Sequence, residues 1–102
     1  MIWEILEGEK DTTRRQLYSE KIICGCIYRS FTDFEANIFF RFMFNECYLV
    51  KKDLYPLLEE EGREKLDKTL KKFKKYNLCE NDDGGRLNKE FAEGVENYIK
   101  DP

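Results

Sequence analysis

Six of the chain's eight phenylalanines fall between Phe31 and Phe44, in the run Phe-Thr-Asp-Phe-Glu-Ala-Asn-Ile-Phe-Phe-Arg-Phe-Met-Phe. At helical spacing Phe34, Ile38 and Phe42 make one stripe, Phe39 and Met43 a second, and Phe40 and Phe44 a third. A helix that is apolar nearly all round has to be buried on nearly all sides. A chain of 102 residues builds one domain with a single modest core. Part of this helix is therefore expected to be covered by another protein chain, which favours an interaction module over an enzyme.

The remaining composition narrows the function classes. Charged residues make up 38% of the chain and the net charge is −3, so the surface is well solvated and carries no global bias towards nucleic acid. There is no histidine, no glycine-rich phosphate loop, no Gly-x-Ser-x-Gly and no serine near a plausible base. The acidic groups Glu59-Glu60-Glu61 and Asp82-Asp83 fall in expected turns. The chain reads as non-catalytic, with no cofactor. No apolar run approaches the roughly 18–20 residues of a membrane span. The opening Met-Ile-Trp-Glu-Ile-Leu-Glu is too short and too acidic for a signal peptide. A soluble, intracellular domain is expected. Cys24, Cys26, Cys47 and Cys79 lack the Cys-x-x-Cys pairs of structural zinc sites. They are expected to be reduced, buried thiols that act as small hydrophobes, with no bound metal.

Residues 1–10 predict a short apolar helix ended by Gly8. Asp11, Thr12 or Thr13 is placed to cap a second helix running through Leu17 and Tyr18. Residues 22–28 form an apolar stretch with Ile23 and Ile27 one turn apart, where Gly25 allows close approach of a neighbour. Ser30, Thr32 and Asp33 offer caps for the Phe-rich helix, which should end near Asn45. Tyr48-Leu49-Val50 reads as a short extended piece. A short helix over residues 51–58 follows, with Pro56 in its first turns, then a turn at residues 59–62. Residues 63–76 are the clearest helix, with Leu66, Leu70 and Phe73 on one face. Leu78-Cys79-Glu80 reads as a strand, Asp82-Asp83-Gly84-Gly85 as a hairpin turn and Arg86-Leu87 as the returning strand. Asn88 caps a last helix carrying Phe91, Val95, Tyr98 and Ile99. The fold class expected is mostly α: a winged helix, meaning a helix-turn-helix plus a two-stranded wing, over residues 31–102. Residues 1–30 are expected to form an N-terminal helical extension packed against it, the two making one compact domain.

Two constellations stand out. Residues 63–75 carry seven basic side chains against two acidic. In a DNA-binding winged helix this element would lie in the major groove, with Lys68, Lys71, Lys72 and Lys75 as the contacts. Lysine suits phosphate contact without base readout, and it equally suits a merely solvated face. Arg41 interrupts the apolar run. A lone arginine there pairs with an acid, stacks on an aromatic, lies at an interface or snorkels at the domain edge. Phe40, Arg41 and Phe44 are the candidate anchors of a partner patch.

Leu17-Tyr18, Cys24-x-x-Ile27-Tyr28-Arg29, the apolar helix closing on Phe44-Asn45-Glu46, Asp53-Leu54, Gly62, Leu78 and Leu87-Asn88-x-x-Phe91 form a spaced series. The series resembles the N-terminal region of the winged-helix core subunit of transcription factor TFIIH, the Tfb-two family. It runs over residues 17–91, without a gap from Leu17 to Leu78. The family's Pro-Ala-Thr before the cysteine is Lys21-Ile22-Ile23 here, and its Pro-Pro before the long helix is Thr32-Asp33. Its tryptophan after Asp-Leu is Leu57, and the proline of its Leu-Asn-Pro is Lys89. The resemblance implies a non-catalytic nuclear scaffold of transcription initiation and nucleotide excision repair. It would dock onto the TFIIH subunit that carries a von Willebrand A domain. Contact with the XPB-type translocase is expected only through regions of the family absent from this chain. Tyr28, Arg29, Phe44 and Asn45 are the matched positions that the resemblance carries over as partner-binding candidates.

Overall fold

The structure, a computed structural model, describes residues 2–101. Helix α1 spans Ile2–Glu7, α2 Asp11–Leu17, α3 Lys21–Arg29 and the Phe-rich α4 Asp33–Phe44. Strand β1, Tyr48–Val50, runs directly into α5, Lys51–Leu54, and a 3-10 turn at Tyr55–Leu57. Helix α6, Glu60–Lys75, is followed by β2, Cys79–Asn81, then β3, Gly84–Leu87, and finally α7, Lys89–Lys100. The molecule is thus mostly helical with one small antiparallel sheet.

The sheet has three strands in the order β1-β3-β2, not two. The extended piece at residues 48–50 completes it, pairing Tyr48 with Arg86, Leu49 with Gly85 and Val50 with Gly84. The hairpin tip is also displaced from its expected place. It is Asp82-Asp83 alone, and Gly84 and Gly85 belong to β3. Both glycines have positive φ, 112° and 83°, a region that favours glycine. A Cβ on Gly84 would lie 2.2 Å from the Leu49 carbonyl oxygen. Gly84 therefore serves the close approach of β1, while a Cβ on Gly85 would meet the Glu80 and Asn81 side chains of β2, whose pairing is irregular between Cys79 and Asn81.

Other boundaries differ for local reasons. Asp11, Thr12 and Thr13 do not cap α2. Its N-cap is Lys10 with no side-chain bond, and the Asp11 carboxylate pairs with Arg14 instead. The short helix at residues 51–58 splits into α5 and the 3-10 turn, since Pro56 has no N–H to continue an α-helix. Helix α6 starts earlier than residue 63. Glu60 and Glu61 sit in its first turn, where they complement the helix dipole, and Gly62 lies inside the helix against Leu58. Thr32 is the cap of α4, in a capping box: its Oγ1 accepts from the Glu35 N–H (3.1 Å), and Glu35 Oε1 accepts from the Thr32 N–H (2.9 Å).

The core is aromatic. Phe31, just before α4, stacks on Phe73 at 5.3 Å and meets Phe39, Phe91, Tyr28 and Trp3 within 6.3 Å. Leu6 of α1, Tyr18 just after α2, and Cys24 and Ile27 of α3 join the same buried cluster as Leu66, Leu70, Phe73, Phe91 and Val95. The most extensive helix–helix contact pairs α3 with α7. Two glycines knit it. A Cβ on Gly25 would sit 2.3 Å from the Tyr98 ring, and one on Gly94 would sit 2.4 Å from Cys24 Sγ. A half-buried ionic tie joins three helices: Lys72 Nζ donates to Glu35 Oε2 at 2.9 Å and lies 4.2 Å from the centre of the Trp3 ring.

The cysteines are unpaired, and they are not uniformly buried. Cys24 and Cys79 are buried, Cys47 is half-buried and Cys26 is exposed. Two residues along a helix turn the side chain by about 200°, so Cys24 and Cys26 face opposite ways.

Candidate functional site

The α4 helix is not covered on all sides. Ile38, Phe39 and Phe42 are buried, Phe34, Phe40 and Met43 are half-buried, and Phe44 is 86% exposed. The face that carries Phe40 and Phe44 is the one the chain itself leaves least covered. These two rings stack one turn apart, 6.1 Å between centroids and 22° between planes. They line a groove of about 480 Å³ between α4, β1 and α5. Arg41 and Asn45 share its α4 wall with Asn37. Leu49 and Val50 of β1 and Asp53 and Leu54 of α5 form the rest. Removing a side chain such as Phe44 from water is worth about 1.5–3 kcal/mol. That gain is unused in the isolated chain.

The groove's shape is set by the reversal after α4. Glu46 and Cys47 both adopt left-handed φ, 56° and 60°. Cys47 N–H donates back to the Phe42 carbonyl (2.8 Å), and Asn45 Nδ2 donates to the Tyr48 carbonyl (2.8 Å). The α5 wall is held by a clamp. Lys51 Nζ reaches Asp67 at 3.3 Å and Asp83 at 3.2 Å, Tyr55 O–H donates to Asp67, and Arg63 Nε donates to the Tyr55 carbonyl at 3.0 Å. The Tyr55 hydrogen bond, aided by Lys51, holds the Asp67 carboxyl below the usual carboxylate range. The same bond pushes the Tyr55 phenol up, and the bond to Asp83 raises Lys51.

Of the six partner-binding candidates, the structure gathers Phe40, Arg41, Phe44 and Asn45 at the groove. Arg41 is exposed and has no ion pair among the described residues. Tyr28 lies behind the groove, half-buried, its ring 6.0 Å from Phe40 and 6.2 Å from Phe39. Arg29 is elsewhere, exposed beside Ile2, Ile5 and Cys26 in a shallow depression. Asn37, Leu49 and Val50 carried no advance signal as groove residues. Asp53 and Leu54 stood in the spaced motif series, though nothing marked them as facing α4.

The lysines of α6 are divided. Lys72 is held by Glu35 and Trp3, and Lys75 pairs with Glu7 at 3.0 Å. Lys68 and Lys71 are exposed with no ion pair among the described residues. No group of metal-ligating side chains is found among the described residues, and no helix there is long and apolar enough to cross a membrane. Comparison of the chain with protein-family models and with curated proteins gave no match.

Proposed function

We propose that the chain is a winged-helix protein-docking domain, a non-catalytic scaffold piece of a TFIIH-like complex in the nucleus. In this reading it serves transcription initiation and nucleotide excision repair and seats a von Willebrand A-type TFIIH subunit on the α4 groove. The order helix, strand, helix, helix, hairpin from α4 to β3 suits a winged helix, with β1 as the third strand of the wing sheet. The observation that carries the docking role is the exposed Phe44 ring, stacked on half-buried Phe40 beside Arg41. Aromatic side chains and arginine are enriched in protein interfaces relative to the rest of the surface. The occupant that fits is an apolar side chain of the partner between Phe44 and Leu54, flanked by a carboxylate for Arg41.

Calorimetric titration of the purified chain against that subunit tests this. Phe44→Ala should cost about 2 kcal/mol of binding, roughly thirtyfold in Kd. Arg41→Glu should weaken the complex while the isolated chain unfolds at an unchanged urea midpoint. No binding by the unaltered chain rejects the reading. Salt-sensitive binding to duplex DNA alone would move the function to Lys68 and Lys71 on α6.

A further inference from the structure

A second concavity, about 320 Å³, lies where α2, the C-terminal end of α6 and the β2–β3 hairpin meet. Arg15, Lys74 and Arg86 line it together with Asn77. All three cations are exposed and none has an ion pair among the described residues. Each of the two carboxylates of the lining has one oxygen engaged. Asp11 is bonded to Arg14, and Glu80 Oε1 accepts from the Arg86 N–H at 3.2 Å. Asn77 is oriented from below: its Oδ1 accepts from Nε of the buried Arg14 at 2.9 Å, which leaves its Nδ2 as a free donor. Arg14 is fixed in turn by the Leu6 carbonyl, to which Nη1 donates at 2.9 Å.

The site therefore offers two guanidinium forks, an ammonium and an amide donor, three cations against the two carboxylates of Asp11 and Glu80. Donors of this kind match a compact anion with several oxygens. A phosphomonoester carries close to two charges and three strong acceptor oxygens. A nucleic-acid backbone instead needs an extended basic stripe. Three cations in one hollow, on a chain of net charge −3, do not form one. We propose that this hollow binds a phosphomonoester presented as a phosphorylated serine or threonine side chain of a partner protein. The site is separate from the α4 groove and does not depend on it.

The test is a nitrogen-15 NMR titration of the full chain with a short glycine-flanked phosphoserine peptide. Its unphosphorylated twin, inorganic phosphate and a short DNA duplex are run in parallel. The phosphopeptide should shift the Arg15, Lys74, Asn77 and Arg86 amides saturably, inorganic phosphate should shift the same amides more weakly, and the twin should not. Combined Arg15→Gln, Lys74→Gln and Arg86→Gln replacement of these exposed side chains should weaken binding at least about tenfold with the spectrum otherwise retained. Phe44→Ala should leave it unchanged, so failure of the docking groove and failure of this site are told apart. Absent or non-saturable shifts, equal binding by the triple variant, or tighter binding of the duplex at these residues would overturn the proposal.

Discussion

Gly94 shows how much one missing side chain decides. It faces Cys24 across the α3–α7 contact, and a Cβ there would lie 2.4 Å from the sulfur and 2.9 Å from Cys24 Cβ. Cys24 is fully buried and donates to the Tyr18 carbonyl at 3.2 Å, so it has little room to move. Gly94→Ala should lose about 1–3 kcal/mol by overpacking, despite the better helix propensity of alanine. Urea denaturation measures this, and an unchanged or raised midpoint would show that α3 and α7 can separate freely. The sequence marked Gly25 as a point of close approach but left Gly94 unremarked. Whether a helical glycine faces a neighbour depends on which elements pack together.

At the scale of elements, the lysine-rich helix separates into structural and free charges. Lys72 bridges α6 to the capping box of α4 and to the Trp3 ring of α1. Lys72→Glu would set a second carboxylate against buried Glu35, and removing one partner of a buried ion pair is costly. Because Lys72 itself is half-buried, a loss of about 2–3 kcal/mol is expected. Lys68→Glu and Lys71→Glu should stay within about 0.5 kcal/mol of the parent. Thermal unfolding of the three variants checks the ranking; equal behaviour would place Lys72 on a plain solvated face. Any test of DNA binding should accordingly use Lys68 and Lys71, so that lost binding is not mistaken for lost folding. None of this could be read from spacing, since the seven basic residues of the segment look alike until Glu35 and Trp3 are brought beside one of them.

At the scale of the molecule, the buried titratable groups give stability a pH profile. Burial pushes the Cys24 and Cys79 thiols up to about 12 from an ordinary value of 9.0, and burial raises Tyr18 likewise. A folded-state value above the unfolded one means that the folded chain holds its proton longer. This stability is fully present below about pH 9 and is lost as pH rises towards 12, on the order of 1.4 kcal/mol per pH unit for each thiol. The Asp67 carboxyl works in the opposite sense. Its contribution is present above its ordinary value of 3.8 and is lost as the pH falls through the depressed one. Urea midpoints should therefore be flat near neutrality and drop steeply between pH 9 and pH 11. A flat alkaline profile would mean that water reaches the two thiols.

Local chemistry was sufficient for much of the fold. Apolar spacing gave α4, the Leu66–Leu70–Phe73 face and the last helix. Thr32 with Glu35, and Asn88 accepting from the Phe91 N–H at 2.9 Å, set two of the helix starts. These are interactions within a turn or two of chain, so the order of residues contains them. The same order also brought Phe40, Arg41 and Phe44 to notice, because an all-round apolar helix in a small chain leaves a face without cover. What the linear order could not contain was which face. Phe39 and Phe42 are buried because Phe91 and Phe73 arrive from distant segments, while no distant segment among the described residues covers Phe44. The third strand, the α5 wall of the groove and the hollow of Arg15, Lys74 and Arg86 exist only where remote pieces of backbone meet. Burial is a property of what the rest of the chain places beside a residue, and only the tertiary structure decides that.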